Sequence, residues 1–302
     1  MNRKIIKLSE LKTIKRLSSA RNLTSYDSRI SIFHLSWPNK LKLYNMLWGI
    51  DLGGTKIECV VLNENHMVLA RERIPTEASK GMAHIISQIQ KLLSILSKEV
   101  GEKPTKLGIG TPGSVDPSTG LLKGSNSQAI NNQPFHKELE KVLGIPVKIA
   151  NDANCFALAE ATMGAVLDIQ PEAQVVFGVI MGTGCGGGIV IDGKALNGRH
   201  GITGEWGHTL LDESGGPCYC GKVGCTETII AGPSLERFYF EETGNKRSLK
   251  DIYADYKAGN DPAATKTIDR LIHFFGVGLS NVINTLDPDV IVLGGGVSNL
   301  DV

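Results

Sequence analysis

One histidine and three cysteines stand close together in the second half of the sequence. His208 is followed by Cys218, Cys220 and Cys225, and glycines interrupt the cysteine run at positions 221 and 224. Three thiolates and one imidazole form a complete tetrahedral ligand set for structural Zn²⁺, with no position left for a reactive water. The alternative is that these cysteines are incidental or simply buried, but their tight spacing favours the metal. We therefore predict a zinc knuckle made by these four residues.

Three glycine-rich runs form a second group of chemical candidates. Residues 51–56 read Asp-Leu-Gly-Gly-Thr-Lys, residues 182–188 hold five glycines, and a third run covers residues 294–296. Paired glycines let a backbone approach a phosphate closely and present N–H groups to it, and the Asp51 carboxylate at a strand end could hold hydrated Mg²⁺. A plain tight hairpin would explain the first run alone. The three runs together favour a nucleotide site.

Three acidic residues are candidates for proton transfer or for hydrogen bonding to a substrate. Asp152 lies in Asn-Asp-Ala-Asn, at a predicted strand-to-helix junction, where it could be the N-cap of the helix or a general base facing a cleft. The residues alone favour capping. Glu205 and Glu227 flank the histidine and cysteines, and each alone could be an ordinary surface acid.

The elements that must position these residues can be predicted from hydrophobic periodicity. Alternation predicts strands at residues 47–51, 57–62, 67–73, 106–110, 147–150, 175–181, 188–191 and 290–293. Apolar residues at helical spacing predict helices over residues 82–96 and 268–283, and a further helix is expected from about 152 to 164. A strand–glycine turn–strand unit occurs twice, which indicates two related α/β lobes. We predict an N-terminal lobe over residues 46–150 and a larger lobe over residues 151–302.

Composition and charge restrict the class of protein further. The 302 residues carry a net charge of +1, and no run of 18 apolar residues is present, so we expect neither a membrane span nor a generally basic nucleic-acid binder. The six cysteines do not resemble a secreted disulfide framework, and we expect a cytoplasmic protein. Residues 1–45 are a basic leader expected to lie outside the fold. Translation starting at Met46 or, as the weaker alternative, a transit peptide would explain this leader.

The ordered set of motifs resembles the ROK family of bacterial sugar kinases and repressors, within the actin/hexokinase-like superfamily. The resemblance runs from Asp-Leu-Gly-Gly-Thr-Lys through Gly-Thr-Pro-Gly at 110–113, Asn-Asp-Ala-Asn at 151–154 and Gly-Glu-Trp-Gly-His at 204–208 to Gly-Gly-Gly-Val-Ser-Asn at 294–299. It implies a two-lobed, ribonuclease H-like α/β fold with an interlobe cleft that binds ATP and a sugar. It also implies Mg²⁺, structural Zn²⁺ and a homodimer as the first assembly to test.

The resemblance also implies a role for each matching residue. Asp152 would be the base that takes the proton from the primary hydroxyl of the sugar, and one nitrogen of His208 would bind zinc while the other faces the sugar. The residues expected on the sugar side are Gly113, Asn126, Asn151, Glu205, His208 and Glu227. Those expected to bind ATP and magnesium are Asp51, Gly53, Gly54, Thr55, Lys56, Gly182, Thr183, Gly184, Gly294, Gly295 and Gly296.

The sugar and the class of activity leave alternatives. The segment Asn126 to Phe135 and the cysteine run look most like the fructokinase branch, which predicts phosphorylation of fructose or mannose at the 6-hydroxyl. Other motifs also occur in N-acetylglucosamine kinases, and glucokinases are a further option. A sugar-responsive repressor is a reading of another class, although residues 1–45 are short for a DNA-binding domain. The C-terminus is expected to be cut short, since nothing follows Val302 to cover the last strand, and a catalytically inactive fragment is a third reading.

Overall fold

The computed structural model describes residues 4–7, 46–125 and 127–302. The strands in this part of the chain are β1 (Lys4–Lys7), β2 (Leu47–Leu52), β3 (Lys56–Leu62), β4 (Val68–Pro75), β5 (Leu107–Thr111), β6 (Ser114–Val115), β7 (Leu122–Lys123), β8 (Val147–Asn151), β9 (Val175–Met181), β10 (Cys185–Ile191), β11 (Lys194–Ala195) and β12 (Val290–Gly294). The helices are α1 (Met82–Val100), α2 (Phe135–Leu143), α3 (Asp152–Thr162), α4 (Ala165–Ile169), α5 (Glu227–Ile230), α6 (Gly232–Thr243), α7 (Leu249–Ala258) and α8 (Pro262–Leu286). In these residues, no helix combines the length and apolar character needed to cross a bilayer.

The chain forms two compact units. Among the described residues, the N-terminal unit contains 46–163 and 193–203, and the C-terminal unit contains 4–7, 164–192 and 204–302. The two-lobed α/β architecture expected from the motifs is therefore present. The sequence-based division at residue 150 separates β8 from α3, whereas the structure keeps both elements in the N-terminal unit.

The N-terminal unit is built on a five-stranded sheet in the order β4-β3-β2-β5-β8. The first three strands form the predicted antiparallel meander, and β2, β5 and β8 run parallel. Helix α1 covers this sheet because its apolar residues recur on one face, with Ile85, Ile89, Leu92 and Leu96 completely buried. The sheet thus has one edge at which the carboxyl ends of three parallel strands meet.

The C-terminal unit has a sheet in which strands follow the order β1-β12-β9-β10. Strands β9 and β10 form an antiparallel hairpin, and β12 pairs with β9 in parallel. Its hydrophobic core includes Phe177 and Trp206 together with Ile268, Leu271 and Leu279 of α8. The second strand–glycine turn–strand unit of the sequence is this β9–β10 hairpin.

Part of the basic leader differs from expectation. Residues Lys4–Lys7 pair antiparallel with β12, with Lys4 opposite Leu293. The expectation that the whole leader lies outside the fold is therefore not met for these four residues, whose backbone extends the C-terminal sheet at β12. Residues 8–45 lie outside the described part of the chain, and the expectation that translation starts at Met46 stays a prediction.

Candidate functional site

The Asp-Leu-Gly-Gly-Thr-Lys run forms the turn between β2 and β3. The N–H of Gly53 donates to the carbonyl of Lys56 at 3.0 Å, which closes the hairpin. The turn is also held from β4's end by Thr76, whose hydroxyl donates to the Gly53 carbonyl at 2.7 Å and whose N–H donates to the Thr55 carbonyl at 2.9 Å. Thr76 is completely buried, and sequence reasoning missed it because a single threonine after a strand carries no recognisable signal.

The Asn-Asp-Ala-Asn motif lies where β8 passes into α3, and the structure divides its roles. Asn151 is the N-cap, because its side-chain oxygen accepts from the N–H groups of Ala153 and Asn154 at 2.9 and 3.2 Å. Asp152 is the first residue of the helix, so the capping role considered for it belongs to its neighbour. The Asp152 carboxylate accepts from the Ala153 N–H at 2.8 Å.

The electrostatic environment of Asp152 suits a proton acceptor. The side chain of Asp152 is exposed to solvent, but the protein mass around it desolvates the carboxyl and raises its pKa, and the hydrogen bond from Ala153 only partly opposes this effect. Burial also raises the pKa of the nearby Cys155 thiol, and the negative charges of Asp152 and then Asp51 raise it further. Both carboxylates therefore lie close to one point of α3. The strand register agrees, since Asp51 lies beside Gly110 and Asn151 beside Thr111 at the same edge of the sheet.

One predicted sugar-side residue, Gly113, lies in the segment after β5. Gly113 has a φ of +87°, and a Cβ there would collide with the carbonyl of Lys123 and lie 2.6 Å from the backbone nitrogen of Ser125. Glycine is therefore required at this position by a close approach of two backbones. Asn126 lies outside the described residues.

Two of the glycine runs meet in the C-terminal unit. Residues 182–184 form the turn between β9 and β10, closed by the Gly182 N–H donating to the Gly184 carbonyl at 2.9 Å. Gly295 has a φ of +87° and lies directly against the backbone of Met181, at the start of that turn. The first residue of α6 joins them, because the Gly232 N–H donates to the Gly182 carbonyl at 2.9 Å. The sequence analysis assigned both glycine runs to one nucleotide site but did not identify the start of α6 as part of it.

The three glycines at 186–188, which follow this turn, were predicted to belong to a phosphate-binding run but have a packing role instead. Residues 186–188 lie inside β10 rather than in a phosphate cradle. A Cβ on Gly187 would be 2.6 Å from Trp206 Cδ1 and 2.8 Å from the Gly204 carbonyl. The indole N–H of Trp206 also donates to the Gly186 carbonyl at 2.9 Å. These glycines therefore make room for the segment that carries Glu205 and His208.

Glu227 connects the glycine turn with the cysteine segment. Its carboxylate accepts from the Cys185 N–H at 2.9 Å, and a Cβ on Gly184 would lie 2.5 Å from the same carboxylate oxygen. Glu205 precedes the short 3₁₀ turn Trp206–His208, and both acids are partly buried. The C-terminal unit thus brings Glu205, His208, Glu227 and the turn at 182–184 into one region.

The predicted zinc ligands are assembled. The ligand atoms of His208, Cys218, Cys220 and Cys225 all lie within 4.8 Å of one another. The Cys218 Sγ is 3.5 Å from His208 Nδ1, and the Cys220 Sγ is 3.5 Å from the Cys225 Sγ. Tetrahedral Zn²⁺ with Zn–S bonds of about 2.3 Å separates its ligands by roughly 3.5–3.8 Å, so these residues fit the ion. All four residues carry donors that Zn²⁺ prefers.

The second nitrogen of His208 has a protein partner. His208 Nε2 lies 2.9 Å from the hydroxyl of Tyr219, a residue that sequence reasoning did not consider. The resemblance implied that this nitrogen would face a sugar, whereas the structure directs it to the phenol.

Comparison with known proteins agrees with this arrangement. The ROK family profile matches residues 47–302. The chain belongs to the ROK family. An N-acetyl-D-glucosamine kinase of Aliivibrio fischeri is 37% identical over 266 residues, which are 85% of this chain and 86% of that protein.

Solved ROK structures share the fold. The ROK hexokinase from Thermus thermophilus has a TM-score of 0.75 and 33% identity, covering 84% of this ROK chain and 82% of its own. A ROK family glucokinase from Streptomyces griseus, in complex with glucose and AMPPNP, has a TM-score of 0.65 and 28% identity, with 83% of each chain covered. The predicted family and two-lobed sugar-kinase fold are confirmed. The curated relative is named for N-acetyl-D-glucosamine, and this favours the alternative substrate over the fructose or mannose predicted first.

Proposed function

We propose that this ROK protein is an ATP-dependent kinase that phosphorylates the primary hydroxyl of N-acetyl-D-glucosamine. The observation that carries the proposal is the position of Asp152. Its carboxyl has a raised pKa and lies at the sheet edge that also holds Asp51 and the glycine turn. The similarity to an N-acetyl-D-glucosamine kinase supports the choice of sugar, and the kinship with a glucokinase solved with AMPPNP supports ATP.

Asp152 would act as the general base. In its ionised form it accepts the proton of the primary hydroxyl as the oxygen of that hydroxyl forms a bond to the γ-phosphorus and the bond to ADP breaks. A carboxylate with a raised pKa is a stronger base than an ordinary aspartate. Phosphoryl transfer otherwise depends on alignment and charge neutralisation, which the other residues would supply.

The phosphates and magnesium would be held by the glycine turns and Asp51. The carboxylate of Asp51 is a donor that Mg²⁺ prefers, and when bound the ion would neutralise charge on the transferring phosphate. The backbone and side chains of residues 53–56 and 182–184 would contact the phosphates, and residues 294–296 the adenosine side. These roles follow from the family resemblance and from the closeness of the runs at 182–184 and 294–296.

The sugar would be held by Asn151 and by the acids of the C-terminal unit. Glu205 and Glu227 offer carboxylates to sugar hydroxyls, and Gly113 and Asn126 are proposed on the same side. The zinc ligands fix the segment that carries His208, and the ion when bound supplies structural rigidity rather than a reactive water.

The first experiment is ATP-dependent ADP release with the full chain. The panel contains N-acetyl-D-glucosamine, N-acetyl-D-mannosamine, glucose, mannose and fructose. We expect the highest kcat/KM with N-acetyl-D-glucosamine. A clear preference for fructose or mannose would restore the fructokinase prediction, and no turnover with any sugar would contradict the kinase assignment.

The role of Asp152 has its own test. Asp152→Asn should fold, retain its metal and lose about 10²- to 10⁴-fold in kcat, since the amide cannot accept the proton. Asp168→Asn, at an exposed position of α4, is the matched control and should be unchanged. Turnover of Asp152→Asn close to that of the unaltered protein would show that another group is the base.

A further inference from the structure

The outer edge of β12 in the C-terminal unit is covered by a short segment of the leader. Residues Lys4–Lys7 pair antiparallel with β12, residue for residue from Val290 to Leu293. On its inner side β12 pairs with β9 in parallel. The ROK family match begins at residue 47, so this outer strand lies outside the part of the chain that the family accounts for.

The sequence of β12 suits a strand with a partner on both sides. Its five residues read Val-Ile-Val-Leu-Gly, and all of them are buried. A strand at a sheet edge exposes unpaired N–H and C=O groups, and proteins commonly place lysine on such strands. The outer strand reads Lys-Ile-Ile-Lys, in which isoleucine favours extended backbone. Residues 4–7 therefore have the composition of an edge strand, whereas β12 has that of an interior one.

The carboxyl end of β12 leads directly into the third glycine run. Lys4 lies opposite Leu293, which is the residue before that run. Gly295 has a φ of +87°, and a Cβ there would collide with the carbonyl oxygen of Met181. Met181 is the residue before the turn at 182–184. Since the two backbones touch at this point, the position of β12 determines how the third glycine run fits against that turn.

The two ends of β12 are held differently. At its start, the N–H of Asp289 donates to the Val175 carbonyl at 2.8 Å, and the Asp289 carboxylate accepts from the N–H groups of Gln174 and Val175 at 2.9 and 2.8 Å. Along the strand, successive backbone groups point alternately to the two neighbouring strands. Loss of the outer strand would therefore remove one of the two hydrogen-bonding partners from the carboxyl end, which carries the glycine run.

We propose that the outer edge of β12 is a docking site for an extended segment, that residues 4–7 are its occupant, and that this docking holds the glycine run 294–296 in the position that binds nucleotide. The inference rests on the proposed function, because it assigns a positioning element to the nucleotide site. With residues 4–7 undocked, the run would have to become ordered when the nucleotide binds, and ordering of backbone lowers affinity. A chain starting at Met46 would lack this strand and bind nucleotide more weakly.

Amide hydrogen exchange on the full chain tests the docking without any ligand. In Ile5→Pro/Ile6→Pro, adjacent prolines remove N–H groups on both sides of the strand, so a donor to β12 is lost in either case. We expect the amides of residues 290–294 that point to the outer strand to exchange roughly tenfold faster, while β2 is unchanged. Ser18→Pro/Ser19→Pro, in the leader but outside residues 4–7, is the matched control and should leave both strands unchanged.

Nucleotide binding tests the positioning role. Titration calorimetry with AMPPNP and Mg²⁺, without sugar, should show the affinity of Ile5→Pro/Ile6→Pro to be lower by roughly fivefold to thirtyfold, the factor for ordering one additional backbone residue. In turnover assays the KM for ATP should rise by a similar factor. The KM for N-acetyl-D-glucosamine and kcat should stay nearly unchanged, which a general loss of structure would not allow.

A peptide supplied in trans separates docking from an effect on folding. A synthetic peptide of residues 1–10, at millimolar concentration, should restore both the slow exchange of residues 290–294 and the nucleotide affinity of Ile5→Pro/Ile6→Pro. The same peptide with proline at both isoleucine positions is the control and should restore neither.

Three outcomes would overturn the proposal while leaving the kinase assignment intact. Unchanged exchange in residues 290–294 of the proline variant, or equal effects of the two peptides, would contradict the docking site. Faster exchange with unchanged AMPPNP affinity would contradict the positioning role. If the unaltered chain bound no nucleotide, the proposed function itself would fail, and the exchange measurement would still decide whether residues 4–7 dock on β12.

Discussion

The proposed catalytic base, Asp152, lies in an environment that disfavours its charged form. Desolvation raises the pKa of its carboxyl, and the N–H of Ala153 lowers it by a smaller amount. Between the ordinary aspartate pKa of 3.8 and the raised value, the folded chain binds more protons than the unfolded chain. The free energy of unfolding therefore declines as pH rises through this range, because the fold disfavours ionisation of this carboxyl.

This sign gives a prediction about stability. Asp152→Asn should raise the melting temperature at neutral pH, because it removes a desolvated charge, and the gain should vanish below pH of about 3, where the aspartate is protonated in both states. Thermal melts from acidic to neutral pH would measure the difference. A variant less stable than the unaltered protein at neutral pH would contradict the raised pKa.

The proposed role of the same carboxyl predicts the pH dependence of turnover. Because the base must be ionised, kcat/KM should fall as pH decreases through the raised pKa of Asp152, with an acid limb above about 3.9, the value for an unperturbed aspartate. Rates with saturating ATP across the acid range would locate this limb. A limb at or below the ordinary aspartate value would show that Asp152 does not limit the reaction.

The metal ligands could be predicted from the residue types, whereas the residues that contact those ligands could not. Three cysteines and a histidine at this spacing are a specific signal, because few structural roles other than metal binding require them. Tyr219, which contacts His208, could not be predicted in this way, because a tyrosine between two ligands resembles any exposed aromatic residue. The hydrogen bond between His208 and Tyr219 depends on side-chain torsions that the sequence does not specify. Asn151 was recognisable as a polar residue before a helix, but spacing alone could not tell whether it or Asp152 was the cap.

At the scale of elements, long amphipathic segments were predictable and short ones were not. Helices α1 and α8 repeat their apolar residues over many turns, so that periodicity exceeds chance. Helix α7 has only Ile252 fully buried among its ten residues, and a single buried position gives no clear period to detect. The glycines of β10 were wrongly predicted to belong to a phosphate-binding turn. A glycine needed for a close backbone approach cannot be distinguished in sequence from one needed for a turn.

The tight fit between β10 and Trp206 gives a prediction about packing. Gly187→Ala should lower the free energy of unfolding by about 2 kcal/mol, because its Cβ would lie 2.6 Å from Trp206 Cδ1 and 2.8 Å from a carbonyl oxygen. Gly276→Ala is the control. That glycine is exposed in α8 with no atom within 4 Å of an added Cβ, so alanine should stabilise the helix by about 0.5–1 kcal/mol. Chemical denaturation would measure both, and equal effects would contradict the packing account.

At the scale of the whole molecule, metal binding should affect the two units unequally. All four zinc ligands belong to the C-terminal unit. Removal of the metal by a chelator should therefore raise amide hydrogen exchange in residues 204–230 and leave the sheet β2-β5-β8 protected, and added Zn²⁺ should reverse the change. Uniform loss of protection, or no metal in the purified protein, would contradict this prediction.

The path of the chain between the units has a consequence for its synthesis. After β10 the chain enters the N-terminal unit for residues 193–203 and then returns. There β11 packs on α3, and a Cβ on Gly201 would lie 3.3 Å from the Ser114 hydroxyl oxygen. On a ribosome, residues 46–163 thus emerge before the segment that completes their unit. The N-terminal unit is complete only after residue 203 has left the exit tunnel, by which time the β9–β10 hairpin of the other unit has already emerged.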